Sequence, residues 1–146
     1  MVTNALAMPC GPDDVFVVLN DGWLFPSWVV GASRMRGVST TWPREGSRLH
    51  HSFGVWPVLI DDVTTVREFD PPRRLVLQAS GWPLGETRIV LDVKPRAGGC
   101  IVRMQEFAVE GPGAFVPRPL LDLALHRRNA ETLRRLSFLA RGGAGR

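Results

Sequence analysis

The chain has 146 residues, of which 45% are hydrophobic and 22% charged, and carries a net charge of +4 at neutral pH. That is the length of one domain with a substantial core and the composition of an ordinary globular protein. No apolar run reaches the ~18 residues of a membrane span, MVTNALAMPC lacks the features of a signal peptide, and two cysteines, Cys10 and Cys100, make neither a zinc site nor a disulfide framework. A cytoplasmic protein with free thiols, no metal and no integral membrane association is therefore expected. The basic residues, 17 Arg and the single Lys94, are scattered along the chain without an aromatic-plus-basic motif, so no nucleic-acid partner is expected.

Residues 2 to 9 read as a short first strand. Gly11-Pro12-Asp13-Asp14 opens a helix with acids at its positive end, and VFVVL carries it to Asn20. After the break at Asp21-Gly22, WLFPSW forms a second short helix holding Trp23, Phe25 and Trp28. Strands follow at residues 33–40, 47–53, 58–69, 74–80, 87–94 and 100–109, separated by turns rich in Gly and Pro. Thr87, Ile89, Leu91 and Val93 alternate with Arg88, Asp92 and Lys94, the pattern of a strand with one face buried. Each Trp-Pro bond is open to a cis peptide, with trans favoured.

The last long element runs from Val116 to Ala140 and spans on the order of 35 Å as a helix. Leu121, Leu125, Thr132, Leu136 and Leu139 make its apolar stripe, flanked by Leu133 and Ala140. Arg127, Arg134 and Arg141 recur every seventh residue on the opposite side, which reads as a solvated face. Pro117 and Pro119 suit the first turn, and Gly142-Gly143 ends the helix ahead of a disordered tail, 142–146. Asn129 interrupts the stripe near its centre, where a buried amide needs a partner, either a backbone group or a ligand.

One strand, two short helices, six strands and a long helix predict an α+β protein in which an antiparallel meander packs one curved face on the last helix. This order, together with GPDDVFVVLNDGWLFPSWVVGA, the strand ends GVWP and GWPLGE, and the helix motif RRNAETLRRL, resembles the superfamily of START-related lipid-transfer domains, polyketide cyclases and dehydrases, and birch-pollen-allergen-like proteins. The resemblance implies a helix-grip fold over residues 1–146: seven curved antiparallel strands around the C-terminal helix, with an apolar cavity between them. It says little of function, because this family hosts carriers, ligand sensors and enzymes in one architecture.

A meander brings alternate turns to the same end, so residues 54–57, 81–85 and 110–115 are expected together, crowding Trp56, Trp82 and Phe115 beside the start of the long helix. The family layout adds Trp28 to Gly31. This end is expected to be the cavity mouth, with Gly111-Pro112-Gly113 as a gate, unless the rings only cap the core. Strand parity turns His51 inward with Leu49 and Phe53, and Glu106 inward with Cys100, Val102 and Met104. His51, Glu106 and Asn129 are thus the polar groups expected at the cavity, with Leu75, Leu77, Ile89, Leu91, Leu121 and Leu125 as walls. A lone His at such a position more often fills a hydrogen-bonded structural role, and Glu106 suits a place at the open, watered end. Asp61 and Asp62 point to opposite faces and make no carboxylate dyad.

No nucleophile elbow, phosphate loop or zinc-protease motif is present, and no cofactor is expected. The first expectation is binding or transport of a hydrophobic small molecule such as a lipid or polyketide, by a monomer or homodimer. The second is a polyketide cyclase or dehydratase using His51 and Glu106 as base and acid. The third is a ligand-responsive interaction or stress protein, presenting Leu120, Leu123 and Phe138 on the outside of the helix.

Overall fold

A computed structural model describes residues 1–55, 57–80, 85–110 and 118–143. In chain order the elements are β1 (Val2–Met8), α1 (Pro12–Leu19), a 3₁₀ turn (Gly22–Leu24), α2 (Phe25–Trp28), β2 (Ala32–Val38), β3 (Arg48–Val55), β4 (Val58–Asp70), β5 (Arg74–Ala79), β6 (Glu86–Arg96), β7 (Gly99–Glu110) and α3 (Arg118–Arg141). The architecture is the α+β helix-grip expected from the sequence. All seven strands form one curved antiparallel sheet in the order β1-β7-β6-β5-β4-β3-β2.

Local chemistry explains the elements. Asp14 accepts a hydrogen bond from the Gly11 amide at 3.0 Å, closing the start of α1, and its charge lies at the positive helix end. Asp21 likewise accepts from the Trp23 amide and starts the 3₁₀ turn. β6 and β7 are longer than the alternation alone indicates, because their ladder continues through Pro95↔Cys100 and Arg96↔Gly99 to a two-residue turn at Ala97-Gly98. Gly98 there has φ +82°, the left-handed region that glycine enters without penalty. β3 runs on through Gly54 to Val55. Trp42–Pro43 is cis, against the expected trans, and so is Pro71–Pro72.

The core lies between the concave face of the sheet and the three helices. Leu49, Val66, Leu75, Leu77, Leu91, Val102 and Met104 from the sheet meet Val15, Phe16, Val18 and Leu19 of α1, Phe25 and Trp28 of α2, and Leu133, Leu136 and Ala140 of α3. Cys10 and Cys100 are neighbouring, buried, free thiols. Burial, with Cys10 alongside, pushes the Cys100 thiol up to about 11. The backbone of the helix comes closest to β1, α1 and α2, and more sparsely to β7. The Val30 amide donates to the Thr132 hydroxyl at 3.2 Å, and the Asn4 amide nitrogen donates to the His126 carbonyl at 3.0 Å, fixing α3 to the loop after α2 and to β1.

One close backbone approach has no room for a side chain. A Cβ on Gly99 would lie 2.0 Å from the Met8 carbonyl oxygen, where β1 passes the start of β7. Gly99→Ala is expected to force the two strands apart and lower unfolding stability by about 1–3 kcal/mol or more, read from urea denaturation, while the slope of the transition stays unchanged.

Candidate functional site

The inward face of the sheet carries polar groups at defined positions. In the β3–β4 ladder His51 pairs with Asp62 and Leu49 with Thr64, so these four side chains share the concave side. His51 and Thr64 are almost fully buried, and Asp62 is 5% exposed, whereas Asp61 on the opposite face is exposed. The expected divergence of the two aspartates is therefore real. One of them nonetheless lies beside His51, a neighbour the sequence reading did not identify.

The hydrogen bonds of His51 fix its tautomer. Nδ1 faces the Ser52 carbonyl at 3.3 Å, which only accepts, so Nδ1 carries the proton. Nε2, at 2.8 Å from the Thr64 hydroxyl, then accepts from it. The ring packs against Phe25 at 5.1 Å between centroids, and Phe25 meets Trp28 edge-on at 5.4 Å. Burial pushes the imidazole below its ordinary value of 6.5, against the smaller upward pulls of the Ser52 carbonyl and the Asp62 charge.

The second polar group is a three-residue cluster between β7 and α3. Glu106 is only 3% exposed, not at a watered sheet end. One Arg128 terminal nitrogen donates to both of its carboxylate oxygens, and Asn129 Nδ2 donates to Glu106 Oε2 at 2.8 Å. Asn129 is wholly buried, and its side-chain oxygen faces Arg128 Nε at 3.4 Å. The amide thus meets two side chains of the cluster. Both Glu106 oxygens accept from N–H donors.

Arg128 also lies 5.6 Å from the centre of the Phe53 ring, in cation–π range. Glu106 belongs to β7 and Phe53 to β3, with β6, β5 and β4 between them, so one side chain extends across the concave face. Toward the β3–β4 turn from this strap, the inward residues Phe53, Ile60, Ala79 and Thr87, with Leu121 and Leu125 of α3, are all half-buried. On the other side Leu49, Leu75, Leu77, Leu91, Met104, Leu133 and Leu136 are sealed.

The sequence-derived positions therefore divide. Phe53, Leu121 and Leu125 border the half-buried end. Trp28, Leu77 and Met104 lie in the closed core, with Leu75, Ile89 and Leu91. His51 and Glu106 are inward but hold separate partners. Trp56, Trp82 and Phe115, with the 111–113 segment, fall outside the described residues. Asp62, Thr64 and Arg128 were not anticipated. The first two share the inward parity of β4, and Arg128 directly precedes Asn129 on α3. Two surface grooves elsewhere, of about 500 and 310 Å³, flank Trp42 near Asn20 and Trp23. Among the described residues no group of three or more His, Cys, Asp or Glu could hold a metal ion, and no helix is long and apolar enough to cross a membrane.

The family description "Polyketide cyclase / dehydrase and lipid transport" matches residues 2–140. The chain belongs to this family. No curated protein matches the sequence. Among solved structures this family member is similar to protein NE0264 from Nitrosomonas europaea, at 15% identity and a TM-score of 0.75 over 97% of this chain and 94% of that one. It is similar to the di-domain ARO/CYC StfQ from the steffimycin biosynthetic pathway, at 15% identity and a TM-score of 0.75, covering 99% of this chain but 52% of StfQ. Ara h 8.0201 has the same fold at 9% identity and a TM-score of 0.71, with 96% of each chain covered. At such identities the likeness is one of fold alone.

The buried neutral imidazole sets a pH dependence. The unfolded chain binds a proton at His51 below 6.5 and the folded protein only at lower pH, so stability contributed by His51 is present above 6.5 and lost as pH falls. Unfolding free energies from urea titrations are expected to fall as pH is lowered from about 7 to 5, by less than the ~1.4 kcal/mol per pH unit of one whole proton, and His51→Gln should flatten that dependence.

Proposed function

We propose that residues 1–146 form a single binding domain for a hydrophobic small molecule, a lipid, a polyketide or a similar metabolite, held between the sheet and the first turns of α3. The observation that carries this reading is the contrast along α3. Its last three turns are sealed against the core, while Leu121 and Leu125, on the same stripe, stay half-buried, as do Phe53, Ile60, Ala79 and Thr87 on the inward face of the sheet. An apolar stripe gains roughly 25 cal/mol per Å² by closing on an apolar surface, so leaving it half-open is favourable only where something else covers it. Arg128 borders this space, which suits a ligand with an apolar body and one carbonyl or hydroxyl oxygen within reach of a guanidinium. Family membership supports the same class, and the cytoplasm is the proposed compartment.

The acid–base alternative requires His51 to give up Thr64, and Glu106 to give up Arg128 and Asn129, before either can meet a substrate. Carriage requires neither, and it is the reading we adopt.

Native mass spectrometry of the purified protein, followed by extraction, tests it. The expected result is a bound lipid or polyketide-class molecule, or saturable uptake of one from a panel. Phe53→Ala should weaken retention by about tenfold or more, the scale of losing one large apolar contact. A protein that stays ligand-free against the whole panel would overturn the reading.

A further inference from the structure

One third of the basic residues of the chain lie in α3. Arg118, Arg127, Arg128, Arg134, Arg135 and Arg141 stand against only Asp122 and Glu131. The surplus of four equals the net charge of the whole chain, so the remaining residues balance at twelve basic and twelve acidic. Charge that is scattered along the sequence is thus gathered on one element in space.

Arg128 turns inward to Glu106, but Arg127, Arg134, Arg135 and Arg141 are exposed. At 3.6 residues per turn, Leu120, Leu123, Arg127, Arg134, Phe138 and Arg141 fall within about 60° of one another on the face opposite Asn129 and Leu136. Leu120, Leu123 and Phe138 are 65%, 49% and 57% exposed, half of the large exposed hydrophobic residues among those described. Glu131 is shared between Arg134 and Arg135 at 3.0 and 3.1 Å, and Arg141 stacks on Phe138 at 4.5 Å. The result is a stripe roughly 30 Å long with apolar side chains at both ends and guanidiniums along it.

Charge complementarity selects the partner. A second copy packed antiparallel on this face would set Arg127 and Arg134 against the same two residues of its neighbour, a like-charge contact. A nucleic-acid backbone would pair with the guanidiniums but leave Leu120 and Leu123 without a role. An anionic bilayer surface engages both sets: leucine and phenylalanine enter the boundary between headgroups and acyl chains, and arginine stems lie along it with their charges at the phosphates.

We propose that the outer face of α3 docks this protein on anionic lipid bilayers, with the helix lying flat in the interface. The surface needs no ligand in the interior, so it stands apart from the reading above. The two are adjacent, however. Leu120 and Leu123 point outward from the same turns whose Leu121 and Leu125 border the half-buried end of the sheet.

Cosedimentation with vesicles of phosphatidylcholine alone, and of phosphatidylcholine mixed with phosphatidylglycerol, tests the proposal. The protein is expected to bind the mixed vesicles, to ignore the neutral ones and to dissociate as salt is raised. Arg127→Glu/Arg134→Glu should lose at least about tenfold in binding, since each guanidinium near such a surface contributes about fivefold. Leu120→Ser/Leu123→Ser should weaken binding at fixed salt while keeping its salt dependence. All four positions are exposed, and unchanged far-ultraviolet circular dichroism is expected for both variants. No binding to the anionic vesicles would overturn the proposal, as would equal binding by wild type and both variants. Tighter retention of duplex DNA than of vesicles at the same salt, or a dimer abolished by Leu120→Ser/Leu123→Ser, would also overturn it and name the other partner.

Discussion

The contact on which the arrangement of this fold depends is the buried carboxylate of Glu106 held by Arg128 and Asn129. A carboxylate this deep in the interior is tolerated only where its lone pairs meet donors, and here all the identified donors come from adjacent residues of one helix. The requirement is geometric as well as energetic. Rotating α3 about its axis, or sliding it along by a residue, would remove both donors and leave a buried charge unpaired. Apolar packing alone is forgiving of such slips, because leucine fits against leucine in several registers. The cluster therefore specifies where α3 sits, and Thr132 on Val30 and Asn4 on the His126 carbonyl repeat the instruction on either side.

Much of the fold was legible because its signals are local. Turn residues separated the strands, alternation assigned their faces, and a helix after a meander has few places to go. Parity also turned His51 and Glu106 inward. Pairings across distant parts of the chain were not legible. Asp61 and Asp62 were weighed only as a dyad, although the β3–β4 ladder that sets Asp62 opposite His51 follows from the position of the turn between them. Arg128 was hidden for a different reason. Arginine on a helix otherwise rich in surface arginine carries no mark of burial, and only the position of β7 shows that this one has a carboxylate to reach. Asn129, an amide on an apolar stripe, was the visible half of that interaction.

The same distinction separates charge along the chain from charge in space. Counting residues gives +4 and a scatter of arginines, which argues against any particular anionic partner. Outside α3 the chain balances at twelve basic and twelve acidic residues, and several sheet acids have an arginine at hand: Arg74 and Arg103 both bind Asp92 at 2.9 Å, and Arg74 also meets Glu68 at 3.2 Å. Exposed pairs of this kind contribute little to stability, but they cancel the long-range field of the sheet. The field that remains belongs to one helix.

That helix is also where the interior changes character. C-terminal to Asn129, its inward residues Thr132, Leu133, Leu136 and Ala140 are buried as in any well-packed core. N-terminal to Arg128, Leu121 and Leu125 are not. The ion-paired cluster lies at the boundary, and its physical role there is to let the two halves differ. A packed core resists opening because every displaced side chain loses contacts on all sides, so an interior with one loose end tends either to collapse or to loosen throughout. A polar strap, fixed at β7 and extended toward Phe53 on β3, holds the position of α3 at that boundary. On the reading proposed above, stability comes from the sealed half, and the half-buried end is where a ligand is taken.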